Sequence, residues 1–228
     1  MFLSRLVLNL RDSQARFDLC RPYEMHRTLW RAFPEGEVGR VLFRTDAGRN
    51  GESTVALVQS EFEPDWANLP TGYTANLPEW KPLDLHVTAG QKLRFRLRAN
   101  PTKRVAAKNE RLGNVMAGRR VGLVTEHEQI AWLLRKGEEG GFSIPGDWVD
   151  AKHSETHQPF KLPNFRLDVQ PEGRDRNDKA GHCNGAFLAV RFEGVLEVSD
   201  PEKFRETLFA GIGSGKSFGF GLLSVRPS

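Results

Sequence analysis

The sequence contains little cysteine and no long apolar run. Its two cysteines, Cys20 and Cys183, are too few and too far apart for a disulfide framework, which favours a reducing compartment. No stretch approaches the roughly 18 apolar residues that span a bilayer, and the N-terminal run from Phe2 to Leu10 is interrupted by Arg5. We therefore expect no membrane span, no secretory signal and a cytoplasmic location.

Acidic residues are scarce in one part of the chain. The whole sequence has 228 residues and a net charge of +4, but residues 91–120 contain ten bases against one acid, Glu110. Such an excess of positive charge makes nucleic acid the first partner to consider. Charge alone does not exclude the alternative, which is a basic face that contacts only solvent. The 39% of hydrophobic residues exclude a wholly disordered or fibrous protein.

The first third of the chain has the pattern strand, helix, strand, strand. Apolar residues alternate from Phe2 to Leu10, recur at helical spacing from Pro22 to Phe33, and form two strand-like runs at Arg40–Thr45 and Thr54–Ser60. This order opens a ferredoxin-like βαββαβ unit. The segment Glu63–Pro82 carries four prolines and is predicted to be loop or short helix in place of the second helix.

A second cycle begins at Gln91. A strand there is followed by a helix that starts after Thr125 and ends near Gly137, because Thr125 and Glu128 have the spacing of a capping box. The later elements are predicted at Phe142–Val149, Asn164–Gln170 and Ala186–Val198 as strands, from Ser199 to about Phe209 as a helix, and at Phe218–Val225 as a strand. We predict an α+β protein of two tandem ferredoxin-like (RRM-like) βαββαβ domains, at 1–85 and 90–228, the second with insertions.

Tyr23 and His26 lie three residues apart on the predicted first helix and so share one of its faces. Histidine titrates near neutral pH and can give or take a proton, and Arg27 and Arg31 could hold a phosphate nearby. The group suits metal-free transesterification of RNA by the 2′-hydroxyl. On spacing alone, a surface helix with an incidental histidine is the more common explanation.

The segment from Gly211 to Gly221 is rich in glycine and contains Gly215-Lys216-Ser217. It fails as a Walker loop, because the first glycine of that motif would fall on Ala210 and too little chain follows for a mononucleotide fold. We predict a turn between a helix and the last strand. Its backbone N–H groups, with Lys216 and Ser217, could contact RNA phosphates, or its glycines could serve close packing.

Arginines alternate with apolar residues at the start of the second cycle. Arg94, Arg96 and Arg98 would share one strand face and could follow successive phosphates, with Lys103 and Arg104 just beyond. Such contacts give affinity without sequence choice.

A polar tip lies between two later strands. It carries Arg174, Arg176 and Lys179 and could form a basic hairpin that enters a nucleic-acid groove, although such tips are more often plain surface loops.

Metal binding is weakly indicated. His153, His157, His182 and Cys183 lack the paired spacing of a zinc site, so we expect no metal and no cofactor.

With these residues in view, the chain resembles the CasE family, the CRISPR repeat-processing endoribonucleases of type I-E systems. The Pro-Tyr-x-x-His-Arg helix and the terminal glycine loop together indicate this family specifically, whereas either motif alone would be weak evidence for it. The resemblance covers nearly the whole chain and is carried by Leu6–Asn9, Asp18–Leu29, Glu63–Trp66, Leu93–Arg104 and the glycine-rich end through Val225.

The resemblance implies a protein that binds the stem-loop of a CRISPR repeat and cuts at the 3′ base of the stem without metal. It implies that the product is retained and delivered to the Cascade surveillance complex with its other subunits. By analogy, His26 would be general acid or base, Tyr23 its partner, and Arg31 a cation that steadies phosphate charge. The basic hairpin around Arg174, Arg176 and Lys179 would enter the major groove of the stem.

Two other functions remain open at this point. The first is an RNA-binding module of the same fold in which Tyr23 and His26 are idle. The second is a nucleotide-hydrolysing enzyme built on Lys216 and Ser217, which predicts ATP binding and magnesium dependence and fits the sequence less well.

Overall fold

The computed structural model describes residues 1–34, 39–48, 53–108, 115–152, 159–176 and 186–228. The strands in these residues form a four-stranded sheet, a larger second sheet and two separate hairpins. Each of the two sheets has its own cluster of buried apolar side chains. No helix in these ranges is long and apolar enough to cross a membrane.

The first sheet has the ferredoxin-like strand order. Its elements are β1 (Phe2–Leu8), α1 (Ser13–Leu19), α2 (Pro22–Trp30), β2 (Val41–Ala47), β3 (Thr54–Ser60) and β4 (Glu79–Pro82). The strands pair antiparallel in the order β2-β3-β1-β4. Where the second helix of such a unit would stand, the chain forms only a 3₁₀ turn at Trp66–Asn68, as the prolines of this segment predict.

One strand of this sheet is buried on both faces. Val41, Leu42, Phe43 and Arg44 of β2 are all buried, which breaks the alternation of a strand with one wet face. Val41 and Phe43 belong to the core beneath α1 and α2. Leu42 and Arg44 point the other way, towards the second unit, because successive side chains alternate in direction.

The second sheet repeats the order with two inserted hairpins. Its elements are β5 (Lys92–Ala99), β6 (Thr102–Lys108), β7 (Val115–Gly122), α3 (Glu126–Glu139), β8 (Phe142–Ser143), β9 (Gly146–Lys152), β10 (Pro159–Phe165), β11 (Leu167–Arg176), β12 (Ala186–Val198), α4 (Pro201–Ala210) and β13 (Leu223–Pro227). The main order is β11-β12-β5-β13, with β8 at the end of β12, while β6–β7 and β9–β10 pair only with each other. The predicted α+β fold of two ferredoxin-like units is confirmed, and the bounds 1–85 and 90–228 stay a prediction.

Local sequence signals decide where the helices of the second unit begin. The Thr125 hydroxyl accepts from the Glu128 backbone N–H at 3.3 Å, as the capping box predicts. The Asp200 carboxylate caps α4 by accepting from the Glu202 and Lys203 N–H groups.

Several predicted boundaries were wrong. The first helix ends at Trp30 and not at Phe33, and the predicted strand Phe142–Val149 is two strands separated at residues 144 and 145. The last strand starts at Leu223 and not at Phe218, because Gly219 and Gly221 have positive φ angles that a strand does not accommodate.

Candidate active site and nucleic-acid interface

Helix α2 places Tyr23 and His26 beside the first core without burying them completely. Pro22 occupies the first turn, where its missing N–H costs no hydrogen bond. Met25 and Leu29 turn into the core. Tyr23 and His26, one turn apart, lie at the edge of this buried stripe, so the sequence correctly predicted that the two residues are neighbours.

His26 lies in an aromatic pocket. Its Nε2 accepts a hydrogen bond from the Trp30 indole N–H at 2.7 Å. The Phe43 ring of β2 lies 6.2 Å from the imidazole centroid to centroid, and the Tyr23 ring lies 6.4 Å away. Burial lowers the pKa of His26 from 6.5 to about 4. His26 is therefore neutral at neutral pH, and it is no incidental surface histidine.

Tyr23 joins α2 to the glycine-rich segment at the end of the chain. Its ring stacks on Phe218 with 5.5 Å between centroids. Phe218 forms a small apolar cluster with Ala189 and Phe220, against which Tyr23 and Phe187 also pack. The candidate site therefore lies where the two units meet, which sequence spacing could not show because the contact depends on tertiary packing.

Arg27 and Arg31, which were predicted from the sequence to lie near a phosphate, have different surroundings in the structure. The Arg27 guanidinium donates to Glu24 at 2.9 Å on the same helix. Arg31 caps the C-terminus of α2, and its side chain is exposed. The role of Arg31 beside phosphate stays a prediction.

The glycine-rich segment is a turn with one 3₁₀ helix at Lys216–Phe218. It follows helix α4 and leads into strand β13, so it lacks the strand-to-helix order of a phosphate-binding Walker loop. Lys216 is half-buried, and burial lowers its pKa, as do the nearby positive charges of Arg40 and Lys136. A lysine crowded by cations favours an anionic ligand, since an anion relieves this repulsion.

A cavity of about 660 Å³ opens beside this turn. Its walls come from the β6–β7 hairpin, the C-terminal turns of α3 and α4, and the glycine-rich segment. Its lining includes six cationic side chains, namely Lys103, Arg104, Arg120, Arg135, Lys136 and Lys216. Arg135 and Lys136 were not predicted from the sequence, because only the fold brings the end of α3 next to the glycines.

The arginines of β5 do not form a row of free cations. Arg98 donates to Glu172 at 2.6 Å and to Asp175 at 2.9 Å, and it lies over the Phe220 ring. Burial lowers the pKa of Arg98, but the two carboxylates outweigh this effect and hold it above its usual value.

The other two members of this face differ from Arg98 and from each other. Arg96 pairs with Glu193 at 2.9 Å and lies 3.6 Å from Asp46 of the first sheet. Arg94 is exposed, and within the described ranges its side chain forms no ion pair. Only Arg94 is therefore as open to a phosphate as the sequence predicted for all three.

The remaining basic positions lie on the inserted strands. Lys103 pairs with Glu128 at 2.8 Å, while Arg104 is exposed opposite Arg120 in the β6–β7 register. Arg174 is exposed near the end of β11, and Arg176 ends that strand. Lys179 and the predicted hairpin tip lie outside the described residues.

The weak zinc candidates cannot be placed. His153, His157, His182 and Cys183 all lie outside the described ranges. Within those ranges, no group of three or more histidine, cysteine or acidic residues is arranged to hold a metal ion.

Comparisons with known proteins give one consistent answer. A family model described as CRISPR associated protein matches residues 1–227. The CRISPR-associated endoribonuclease Cse3 of Thermus thermophilus is 44% identical, and the CRISPR system Cascade subunit CasE of Escherichia coli is 31% identical; each alignment covers 100% of both chains.

The solved structures agree with the sequences. Thermus thermophilus Cse3 bound to an RNA representing a pre-cleavage complex has a TM-score of 0.78 and 39% identity, covering 99% of this chain and 98% of that one. Since both sequence and fold match over essentially the whole length, the chain belongs to the CRISPR associated protein family that includes Cse3 and CasE.

Proposed function

We propose that this chain is a metal-independent endoribonuclease that binds the stem-loop of CRISPR repeat RNA and cleaves it at the 3′ base of the stem. The observation that carries the proposal is the pair Tyr23 and His26, held at the junction of the two units and joined through Phe218 to the glycine-rich segment, whose Lys216 lines a cationic cavity. The product is mature guide RNA, which the protein retains. The names of the relatives Cse3 and CasE support this activity and assembly with other Cascade subunits.

The reaction is an internal transesterification. The 2′-oxygen attacks the adjacent phosphorus, the bond from phosphorus to the 5′-oxygen breaks, and the fragments carry a 2′,3′-cyclic phosphate and a 5′-hydroxyl. One proton must leave the 2′-hydroxyl and one must reach the 5′-oxygen. His26, with Tyr23 as its partner, serves these transfers, and Arg31 steadies the phosphate charge.

The RNA backbone follows the cationic surface of the second unit. Arg27 offers exposed charge on the helix of the candidate site, Arg94 offers exposed charge on β5, and Lys216 and Ser217 border the site on the glycine-rich segment. Lys103 and Arg104 extend the surface along β6, while Arg96 and Arg98 would contact phosphate only by exchanging the carboxylates that they now pair with. Arg174, Arg176 and Lys179 reach the groove of the stem, where A-form RNA is recognised by shape.

The alternative is a non-catalytic RNA-binding module of the same fold. One observation favours it, because the Nε2 of His26 already accepts a hydrogen bond from Trp30 and is not free to accept a proton. Both functions predict binding that weakens steeply with salt. They differ in whether the bound repeat is cut.

We also propose a cytoplasmic location, where the precursor transcript is made. The scarcity of cysteine supports a reducing compartment.

The deciding experiment mixes the protein with a labelled repeat hairpin from its own genome in EDTA. We expect one cut, and we expect His26→Ala to lower the single-turnover rate by roughly 10²–10⁴-fold while RNA is still bound, because that is the usual contribution of a general acid or base. His86→Ala is the matched control, since His86 is exposed and pairs with the exposed Asp84 at 3.1 Å.

Three outcomes separate the functions. Cleavage by the parent and by His86→Ala, but not by His26→Ala, supports the enzyme. Tight binding without a cut by any of the three proteins makes the chain a binding module. A cut that needs added magnesium overturns the metal-free mechanism.

A further inference from the structure

Trp30 decides which nitrogen of His26 carries the proton. The indole N–H is a donor only, and it lies 2.7 Å from the His26 Nε2. A nitrogen that accepts such a bond has no hydrogen of its own. Neutral His26 must therefore carry its single proton on Nδ1, and Nδ1–H is the only ring N–H that remains for a ligand.

The indole is held firmly in this position. Trp30 lies one turn after His26 on α2, so the two rings meet on the same helix face, with centroids 5.6 Å apart. The Trp30 ring packs edge-on against Phe33, which packs edge-on against Trp66. The Trp66 indole in turn donates to Ser4 of β1 at 3.2 Å. A row of rings thus ties the donor to the first sheet.

No charged group competes for His26 among its described neighbours. On its own helix it faces the phenol of Tyr23 and the indole of Trp30, neither of which is a carboxylate or a cation. From β2 it faces Phe43, and beyond Tyr23 the 3₁₀ turn presents Phe218. Burial lowers the pKa of His26, and no charge among the described neighbours opposes this, so the ring is neutral across the physiological range.

We propose that Trp30 is a positioning residue that fixes His26 as a neutral imidazole with Nδ1–H, so that His26 acts in the cleavage as a proton donor and not as the base. This inference rests on the proposed function. It decides between the acid and base roles that the sequence leaves open, and it gives a purpose to a hydrogen bond that otherwise favours the non-catalytic alternative.

The chemistry balances with a neutral donor. As the 2′-oxygen bonds to phosphorus, its proton is lost to water, and the departing 5′-oxygen takes the Nδ1 proton of His26, which regains one from water. Negative charge that develops on the imidazole is offset by the Trp30 N–H at Nε2. Neutral histidines with lowered pKa values serve as electrophilic hydrogen-bond donors in other enzymes, triosephosphate isomerase among them.

The test is Trp30→Phe, which keeps a ring and removes the donor. Histidine labelled with ¹⁵N in the ring reports the tautomer by NMR, and the His26 signals are those missing from His26→Ala. We expect the parent to show Nδ1–H alone, and the variant to show a mixture with Nε2–H and a higher His26 pKa. We expect single-turnover cleavage to fall about tenfold with RNA affinity unchanged, in line with the loss of one hydrogen bond.

Trp80→Phe is the matched control, because Trp80 lies on the exposed strand β4 and contacts Phe2. It should change neither the tautomer nor the rate. Cleavage that speeds up or stays equal in Trp30→Phe would show that freeing Nε2 restores a base, and Nε2–H in the parent would remove the premise; either result overturns the inference. If the parent does not cleave at all, the proposed function fails, while the tautomer can still be read.

Discussion

At the scale of single residues, neighbouring carboxylates decide what each arginine of β5 can do. Arg94 and Arg98 lie on the same face of the strand, and the sequence alone makes them equivalent. In the structure Arg98 is largely buried and held by Glu172 and Asp175, whereas Arg94 is exposed. One is part of the fold and the other is open to a ligand.

This difference predicts opposite effects for two alanine variants. Arg94→Ala should leave the unfolding free energy within about 0.5 kcal/mol and reduce the salt dependence of RNA binding by about one phosphate contact. Arg98→Ala leaves two carboxylates without their cation and should cost about 2–4 kcal/mol of stability. Urea unfolding and RNA titrations at several salt concentrations measure both effects. If Arg98→Ala lowers the salt slope without loss of stability, Arg98 is a phosphate contact after all.

The same scale shows what the sequence can predict about the site. The spacing of Tyr23 and His26 correctly indicates a shared helix face, because a helix repeats locally. The neighbour Trp30, four residues after His26, follows from the same rule. The contact of Tyr23 with Phe218 does not, because it requires both units to fold and dock. Burial of His26, and with it the lowered pKa, is equally a tertiary property.

At the scale of elements, strong local sequence signals predict helices and strands correctly, and elements with weak signals are missed. The capping box at Thr125 predicted the start of α3 correctly because its hydrogen bond is made within one turn. Helix α1 was not predicted, since its seven residues contain few apolar positions that repeat at helical spacing. The β6–β7 hairpin was not predicted, and the sequence indicated Lys103 and Arg104 of β6 only as basic residues beyond the first strand of the second cycle.

The glycine-rich segment is the element in which backbone conformation matters most to the site. Gly219 has a φ of 77°, and a Cβ built there would lie 3.2 Å from the Phe43 ring. Phe43 also faces His26, and Phe218, next to Gly219, stacks against the Tyr23 ring. A side chain at position 219 would therefore strain the backbone and would also crowd Phe43 in the aromatic pocket of His26.

Gly219→Ala should cost about 2–3 kcal/mol of stability, about 1 kcal/mol for the left-handed conformation and the rest for crowding Phe43. Gly90→Ala is the matched control, because Gly90 has a φ of 80° and nothing within 4 Å of the added Cβ. It should cost only the backbone part. Denaturant unfolding measures the two costs, and equal values would show that Phe43 yields freely. Cleavage should fall in Gly219→Ala alone.

At the scale of the whole molecule, one buried guanidinium joins the two sheets. Arg44 of β2 is 3% exposed, and its Nε lies 3.0 Å from both carboxylate oxygens of Asp46. Its Nη1 donates to the Ser224 hydroxyl of β13 at 3.1 Å. Close by, the Gln59 amide of β3 donates to the Leu208 carbonyl of α4 at 2.7 Å. These polar contacts fix the relative position of the units that together form the Tyr23 and His26 site.

We therefore expect Arg44→Met to act on both units together. Among the described residues, the variant leaves the mostly buried Asp46 with the more distant Arg96 as its cation, and removing one partner of a buried pair typically costs about 3–5 kcal/mol. Arg5→Met is the control, because Arg5 pairs with Glu79 at 3.7 Å on the exposed face of the same sheet, where an ion pair contributes roughly 0–1 kcal/mol.

The parent should unfold in one transition followed by circular dichroism and tryptophan fluorescence. Arg44→Met should separate the two signals and slow cleavage, because Tyr23 and Phe218 belong to different units. A single transition with unchanged cleavage would mean that the apolar contacts around Phe218 dock the units without Arg44.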